Sequence, residues 1–172
     1  MMKDIRLLVL DVDGTLTDGA VYMGSEGEVC KAFSIKDGLG LKLMGDAGIQ
    51  LAIITGRCSR MVELRAKELG IQHIVQGAQI KTDALLDLCK TLDISPEETA
   101  YMGDDLNDLA VMDLCGLTAC PADAAEDILA RAAYIARQPG GRGAVRDFVE
   151  TYLKEKGLWA PLAAARYQAR LD

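Results

Sequence analysis

Short apolar runs recur along the chain, separated by longer stretches in which apolar residues return every three or four positions. The runs are Ile5 to Leu10, Leu51 to Ile54, His73 to Val75, Ala100 to Met102 and Leu117 to Ala119, with a weaker sixth at Ala133 to Ala136. Unbroken apolar runs suit strands buried on both faces. The periodic stretches predict helices near 39–47, 58–69, 80–92, 105–113, 123–130 and 143–156. Strand and helix in alternation predict an α/β fold, a Rossmann-like doubly wound parallel sheet. Ser95-Pro96-Glu97-Glu98 has a capping serine, a proline at the first helical position and a glutamate at the third, so a helical turn leads into the fourth strand.

Two segments break the alternation. Residues 19–34, GAVYMGSEGEVCKAFS, hold two β-leaning runs around Gly24-Ser25-Glu26-Gly27 and predict a β-hairpin directly after the first strand. It is either surface decoration, or a flap over the adjacent site or a pairing element for other subunits. The tail, Gly157 to Asp172, is apolar for a chain end and holds the only tryptophan, Trp159. It predicts docking, on its own domain or on a neighbour. With no repeat, low-complexity stretch or linker, residues 1–172 are expected to form a single domain.

Composition narrows the class. With 172 residues, half of them apolar and a quarter charged, the chain is neither disordered nor fibrous. Its net charge of −7 argues against nucleic acid and anionic membrane as partners. The first run meets Asp11 too soon for a leader peptide or a spanning helix. Five scattered cysteines without a CxxC pair fit a reducing, cytoplasmic setting rather than a disulfide frame or zinc site. His73 is the only histidine, so a Ser-His-Asp or His-rich metal site is excluded.

In an open parallel sheet, ligands bind beyond the carboxyl ends of the strands. The residues following the runs are Asp11, Asp13, Gly14, Thr15 and Asp18; then Thr55, Gly56 and Arg57; then Lys81; then Gly103, Asp104, Asp105, Asn107 and Asp108. Carboxylates gathered this way repel one another without a cation. All-oxygen ligation beside an anion site favours Mg²⁺, and an EF-hand is ruled out because the twelfth loop position is Tyr22. A carboxylate, a divalent metal, a lysine and a hydroxyl at strand ends make a phosphoryl-transfer site. Asp11, nearest the strand, is the better-fixed nucleophile for an aspartyl-phosphate, and Asp13 on the turn is placed to work as general acid and base. Asp104 and Asp108, four apart at a helix start, would share a face. Each element alone has an ordinary reading: DxDG as an Asx-turn, TGR as a turn, Lys81 as an exposed helical lysine, GDDLND as a capped helix start. All four would have to coincide at successive strand ends.

Those residues resemble the haloacid dehalogenase-like phosphatase superfamily, whose four motifs stand in order as LDVDGTLTDG, ITGR, Lys81 and GDDLND. The resemblance implies Mg²⁺ held by Asp11, the Asp13 carbonyl and Asp104. It implies a phosphoryl group held by Thr55, Gly56 and Lys81, with Asp105 and Asp108 in support. The gaps between motifs are too short for a cap domain. The hairpin, KDGLGL from Lys36, ITGR and GGRGAVRD resemble the capless family acting on 3-deoxy-D-manno-octulosonate 8-phosphate. That resemblance implies a homotetramer, hydrolysis of a phosphorylated acid sugar, and a place in lipopolysaccharide biosynthesis. Arg57, Lys36 and Asp37 become candidate substrate contacts, with Arg142 and Arg146 as further cations for a sugar carboxylate. The related family acting on nine-carbon sialic-type 9-phosphates tends to carry Glu where this chain has Arg57. Asp147 departs from the Glu more usual in GAVRE. A broad sugar phosphatase, a phospho-accepting receiver-like domain and an idle assembly domain are the other readings. A receiver carries its acceptor on the third strand, whereas DxD here follows the first.

Overall fold

A computed structural model describes residues 1–168. Six parallel strands form one sheet: β1 (Leu7–Leu10), β4 (Gln50–Ile54), β5 (His73–Val75), β6 (Thr99–Met102), β7 (Leu117–Cys120) and β8 (Tyr134–Ile135), in the spatial order β5-β4-β1-β6-β7-β8. The weak sixth run is thus a short edge strand, in register with β7 at Ala119 and Cys120. Central β1 is buried on both sides: Leu8 and Leu10 enter one core, Leu7 and Val9 the other.

Helices α1 (Ile35–Asp46), α2 (Arg60–Leu69), α6 (Ala144–Glu155) and α7 (Trp159–Tyr167) supply the first core; α3 (Lys81–Leu92), α4 (Leu109–Met112) and α5 (Glu126–Leu129) supply the second. Fully buried Phe148 on α6 contributes about 1.5–3 kcal/mol by leaving water. The chain leaves β1 toward β4 on one side and reaches β6 on the other. The switch point between those directions opens at the carboxyl ends of β1 and β6.

The predicted hairpin is a separate antiparallel pair, β2 (Tyr22–Gly24) and β3 (Gly27–Cys30), with a bulge between Tyr22 and Met23. Among the described residues nothing else is inserted between β1 and α1, and only α2 and β5 stand between β4 and α3, so the fold has no cap.

Two elements differ from the pattern-based expectation, and the tail takes one of its two expected courses. Helix α1 begins at Ile35 rather than near 39, because the Ser34 hydroxyl caps it by accepting from the Asp37 amide at 3.2 Å. The expected helix over 105–113 is a 3₁₀ turn at Leu106–Asp108 followed by the single turn of α4, because the Asp105 and Asp108 side chains cap the turn reciprocally. The tail forms α7, which docks on its own domain against α1 and α6. Trp159 is buried there, with the Arg146 guanidinium 4.6 Å above its ring. Residues 169–172 of the predicted tail lie outside the described residues.

Candidate active site

Four segments meet where β1, β4 and β6 end. Asp11 and Asp13 follow β1, Thr55 to Arg57 follow β4, Lys81 opens α3, and Asp104 to Asp108 follow β6. A cavity of about 380 Å³ is lined by Asp11, Asp13, Thr55, Gly56, Arg57 and the Asp104 to Asn107 loop.

Lys81 is the pivot. Its side chain is 3% exposed, and Nζ donates to Asp11 Oδ1 at 2.8 Å and Asp108 Oδ1 at 2.6 Å. Burial opposes its charge, but the Asp11 and Asp108 carboxylates outweigh that and hold it above the ordinary lysine range. Asp108 is fully buried and all its capacity is used. Tyr101 donates its hydroxyl to Oδ1 at 2.8 Å, while the Asp104 and Asp105 amides donate to Oδ2 at 3.0 and 3.3 Å. Asp108 therefore shapes the loop and orients the lysine. Asp105 is exposed and caps the turn through the Leu106 amide at 2.8 Å.

Asp104 accepts from the Thr15 hydroxyl at 3.2 Å and lies against Gly14 so closely that a Cβ there would come within 1.9 Å of Oδ2. Gly14 also has φ +95°, so only glycine suits this turn. Burial and the charges of Asp11 and Asp108 push Asp104 up to about 8. Burial and the Asp108 charge raise Asp11 to about 6 against the opposing pull of Lys81.

This donor set fits a divalent cation. Asp11, Asp104 and Asp108 each offer a carboxylate oxygen within 4.8 Å of the others. With all three carboxylates ionised against one ammonium, two negative charges would stand uncompensated. Since Asp108 is saturated by four donors, Asp11 and Asp104 are the oxygens available for metal. Hard oxygen donors suit magnesium.

The remaining sequence candidates scatter. Arg57 stands on the cavity wall, half exposed, with Nε 3.7 Å from Asp13 Oδ2. Lys36 is exposed on the first turn of α1 and does not line the cavity. Asp37 is 1% exposed and accepts from the Arg146 amide at 2.7 Å, joining α1 to the start of α6. The early start of α1 turns Asp37 inward, away from the cluster. Arg146 is held over Trp159, and Arg142 lies 3.9 Å from Asp18. Asp147 is committed to Arg137 and Tyr134, a packing role that explains why an altered motif residue leaves the site intact.

Sequence reasoning gave no role to Thr15, Tyr101, Glu28 or Lys31. A tyrosine inside an apolar central strand was a usable signal, since a buried hydroxyl needs a partner. Lys31, bonded to Asp13, and Glu28 come from the hairpin and carry no local sign of reaching the site.

The profile of haloacid dehalogenase-like hydrolases matches residues 73–147. The 3-deoxy-D-manno-octulosonate 8-phosphate phosphatase of Escherichia coli strain K12 is 48% identical over 155 residues, covering 90% of this chain and 82% of that protein. The corresponding Moraxella catarrhalis enzyme, solved with magnesium ion, phosphate ion and a KDO molecule, superposes with TM-score 0.90 at 45% identity, covering 94% of this chain and 92% of that one. The cobalt-bound form of the deoxy-D-mannose-octulosonate 8-phosphate phosphatase from Haemophilus influenzae gives TM-score 0.90 at 36% identity, over 95% of both chains.

Proposed function

The chain belongs to the haloacid dehalogenase-like hydrolases, within the family of 3-deoxy-D-manno-octulosonate 8-phosphate phosphatases, and we propose that it hydrolyses that ester to the free sugar acid and phosphate. The observation that carries the reading is Lys81 held between Asp11 and Asp108 at the switch point of the sheet, with Asp11 and Asp104 lining one cavity.

Asp11 is the nucleophile. Its carboxylate oxygen bonds to phosphorus as the ester oxygen leaves, and Asp13 gives that oxygen its proton. Asp13 then takes a proton from water as the water oxygen attacks the aspartyl-phosphate, which returns Asp11 and releases phosphate. Lys81 and the Thr55 hydroxyl, with the backbone at Gly56, hold the phosphoryl oxygens where charge develops. Asp11, Asp104 and the Asp13 carbonyl would hold Mg²⁺, which supplies charge neutralisation for the transferring group. Arg57 on the cavity wall suits a substrate that carries its own carboxylate, which supports the acid-sugar reading over a broad sugar phosphatase.

The finer setting follows the family. We assign the enzyme to the cytoplasm and to lipopolysaccharide biosynthesis. Five unpaired cysteines support a reducing compartment, and among the described residues no helix is long and apolar enough to cross a membrane. A homotetramer is supported by the hairpin's exposed apolar residues Val21, Tyr22, Met23 and Val29. Light scattering on the purified chain tests it, and a monomer at micromolar concentration would overturn it.

The deciding assay is phosphate release with Mg²⁺ from octulosonate 8-phosphate, a nine-carbon sialic-type 9-phosphate, hexose phosphates and p-nitrophenyl phosphate. A preference of at least about tenfold in kcat/KM for the octulosonate ester is expected, equivalent to about 1.4 kcal/mol. A flat profile would remove the named substrate, and unchanged turnover in Asp11→Asn would remove the chemistry.

A further inference from the structure

Lys31, the residue after β3, has a side chain only 1% exposed, and lysines are almost never buried unless paired. Its Nζ donates to Asp13 Oδ1 and lies 2.9 Å from Glu28 Oε1. Glu28 Oε1 also receives Arg57 Nη2 at 3.4 Å, and Arg57 Nε lies 3.7 Å from Asp13 Oδ2. Two cations and two carboxylates from three chain segments thus close a ring. Asp13 is unlike Asp11 and Asp104 in its support. It stands on a turn next to Gly14, off the strand, and neither β1 nor α3 grips its carboxylate. Within the ring its two oxygens differ. Oδ1 is taken by Lys31, whereas Oδ2 has only a guanidinium beyond ordinary hydrogen-bond length.

From this geometry we propose that Lys31 is a positioning residue for Asp13, fixing its carboxylate through Oδ1 so that Oδ2 is the oxygen that exchanges protons with the leaving group and with water. Glu28 holds the lysine in place and balances its charge. The hairpin therefore reaches into the reaction through one side chain, and its seating on the domain sets the geometry of the acid. The inference rests on the acid/base role of Asp13 given above. Proton transfer demands hydrogen-bond reach, and small misplacements of the donor cost orders of magnitude in rate.

The test is a double-mutant cycle on Lys31→Met and Asp13→Asn, measured with two esters. With the octulosonate ester, whose alkoxide must be protonated, Lys31→Met is expected to lower kcat about 10–100-fold while KM stays within about threefold. In a single turnover with p-nitrophenyl phosphate, whose leaving group departs without a proton, the same change should cost less than about threefold. In the Asp13→Asn background, Lys31→Met should add less than about twofold, since the group it positions is gone. Lys31→Arg, which keeps charge and reach, should restore most of the lost kcat. Equal losses on the two esters, an effect confined to KM, or an undiminished loss in the Asp13→Asn background would each overturn the proposal. If Asp13→Asn itself turned over at the wild-type rate, the role of Asp13 would fall instead, so the two failures are distinguishable. Circular dichroism and thermal melts establish that each variant is folded. If Lys31→Met does not fold, Lys31→Gln replaces it with the same expectations.

Discussion

Tyr101 donates its hydroxyl to Asp108 Oδ1 over 2.8 Å, the same carboxylate oxygen that receives Lys81. A strand residue in the interior thereby fixes the loop carboxylate that aims Lys81. Burial, and then the Asp108 and Asp11 charges, raise the Tyr101 hydroxyl well above its ordinary range, so it acts as a donor at every working pH. Tyr101→Phe removes that donor at nearly constant volume. The loss should be about 1.5–3 kcal/mol, the worth of a hydrogen bond to a charged group. Urea unfolding reads the stability change, and an unchanged midpoint would show that the bond contributes nothing net. Turnover should fall only several-fold, because Lys81 still bridges the two carboxylates.

Lys81→Met tests the bridge itself. Among the described residues the ammonium is the only cation bonded to Asp11, and in the proposed reaction it lies beside the oxygens on which charge develops. Its loss should lower kcat on the order of 10²–10³, as for one electrostatic donor in a transition-state site. Inhibition by product phosphate should weaken in parallel, since the same charge holds the bound anion. A variant that lost turnover yet bound phosphate as before would assign Lys81 to the chemical step alone.

Much of this site could be read from the chain, and the reason is local. Asp11, Thr55 and Asp104 lie within two residues of a strand's carboxyl end, and Lys81 opens a helix, so identifying the apolar runs also locates the cluster. What escaped depends on tertiary contact. Gly38 and Gly40 thin the apolar period of α1 and hide its first turn, yet a Cβ at Gly38 would meet Arg65 Nη2 at 2.4 Å. The expected helix therefore starts near 39 and leaves Lys36 and Asp37 outside it, where the family resemblance makes them candidate substrate contacts. The hairpin was visible as a hairpin. Its return onto Asp13 through Lys31 was not, because nothing in residues 19–34 encodes the direction in which the pair folds.

The GGRG segment, a flexible breaker by its sequence, is a packing surface in the fold. The Gly141 amide donates to the Thr15 carbonyl at 3.0 Å. A Cβ on Gly140 would fall 1.8 Å from the Gly14 carbonyl oxygen and 2.9 Å from that of Thr17. These are backbone atoms of the loop that follows β1 and cannot swing aside. Gly140→Ala should cost about 1–3 kcal/mol through overpacking and lower kcat, since Gly14 abuts Asp104. Gly45→Ala is the control: it sits in α1 with its nearest neighbour 4.0 Å away and should gain up to about 1 kcal/mol. Thermal melts and steady-state rates on both variants check the contrast, and equal behaviour would show that the GGRG contact does not constrain the loop.

The carboxylate pair makes a signed prediction about pH and metal. Asp11 and Asp104 rise to about 6 and about 8 from an ordinary 3.8, chiefly because they are buried. Across that interval the folded, metal-free chain keeps protons that the unfolded chain has released. Stability must then fall as pH climbs from about 4 to about 8, and level off above. Asp147, Glu28 and Glu150 are shifted below their ordinary values, so their contributions are lost only in more acidic solution, outside this window. In the proposed site Asp11 and Asp104 would hold Mg²⁺ in their ionised form, which cancels the penalty, so stabilisation by Mg²⁺ should grow with pH. Melts in chelator at about pH 5.5 and about pH 8.5, repeated with saturating Mg²⁺, read both effects. The chelated protein should melt lower at the higher pH, and the rise on adding Mg²⁺ should be larger there. A magnesium effect that did not change with pH would remove Asp11 and Asp104 as the titrating ligands. In Asp104→Asn, where one ionisable oxygen donor is lost, both the pH slope and the magnesium gain should shrink together.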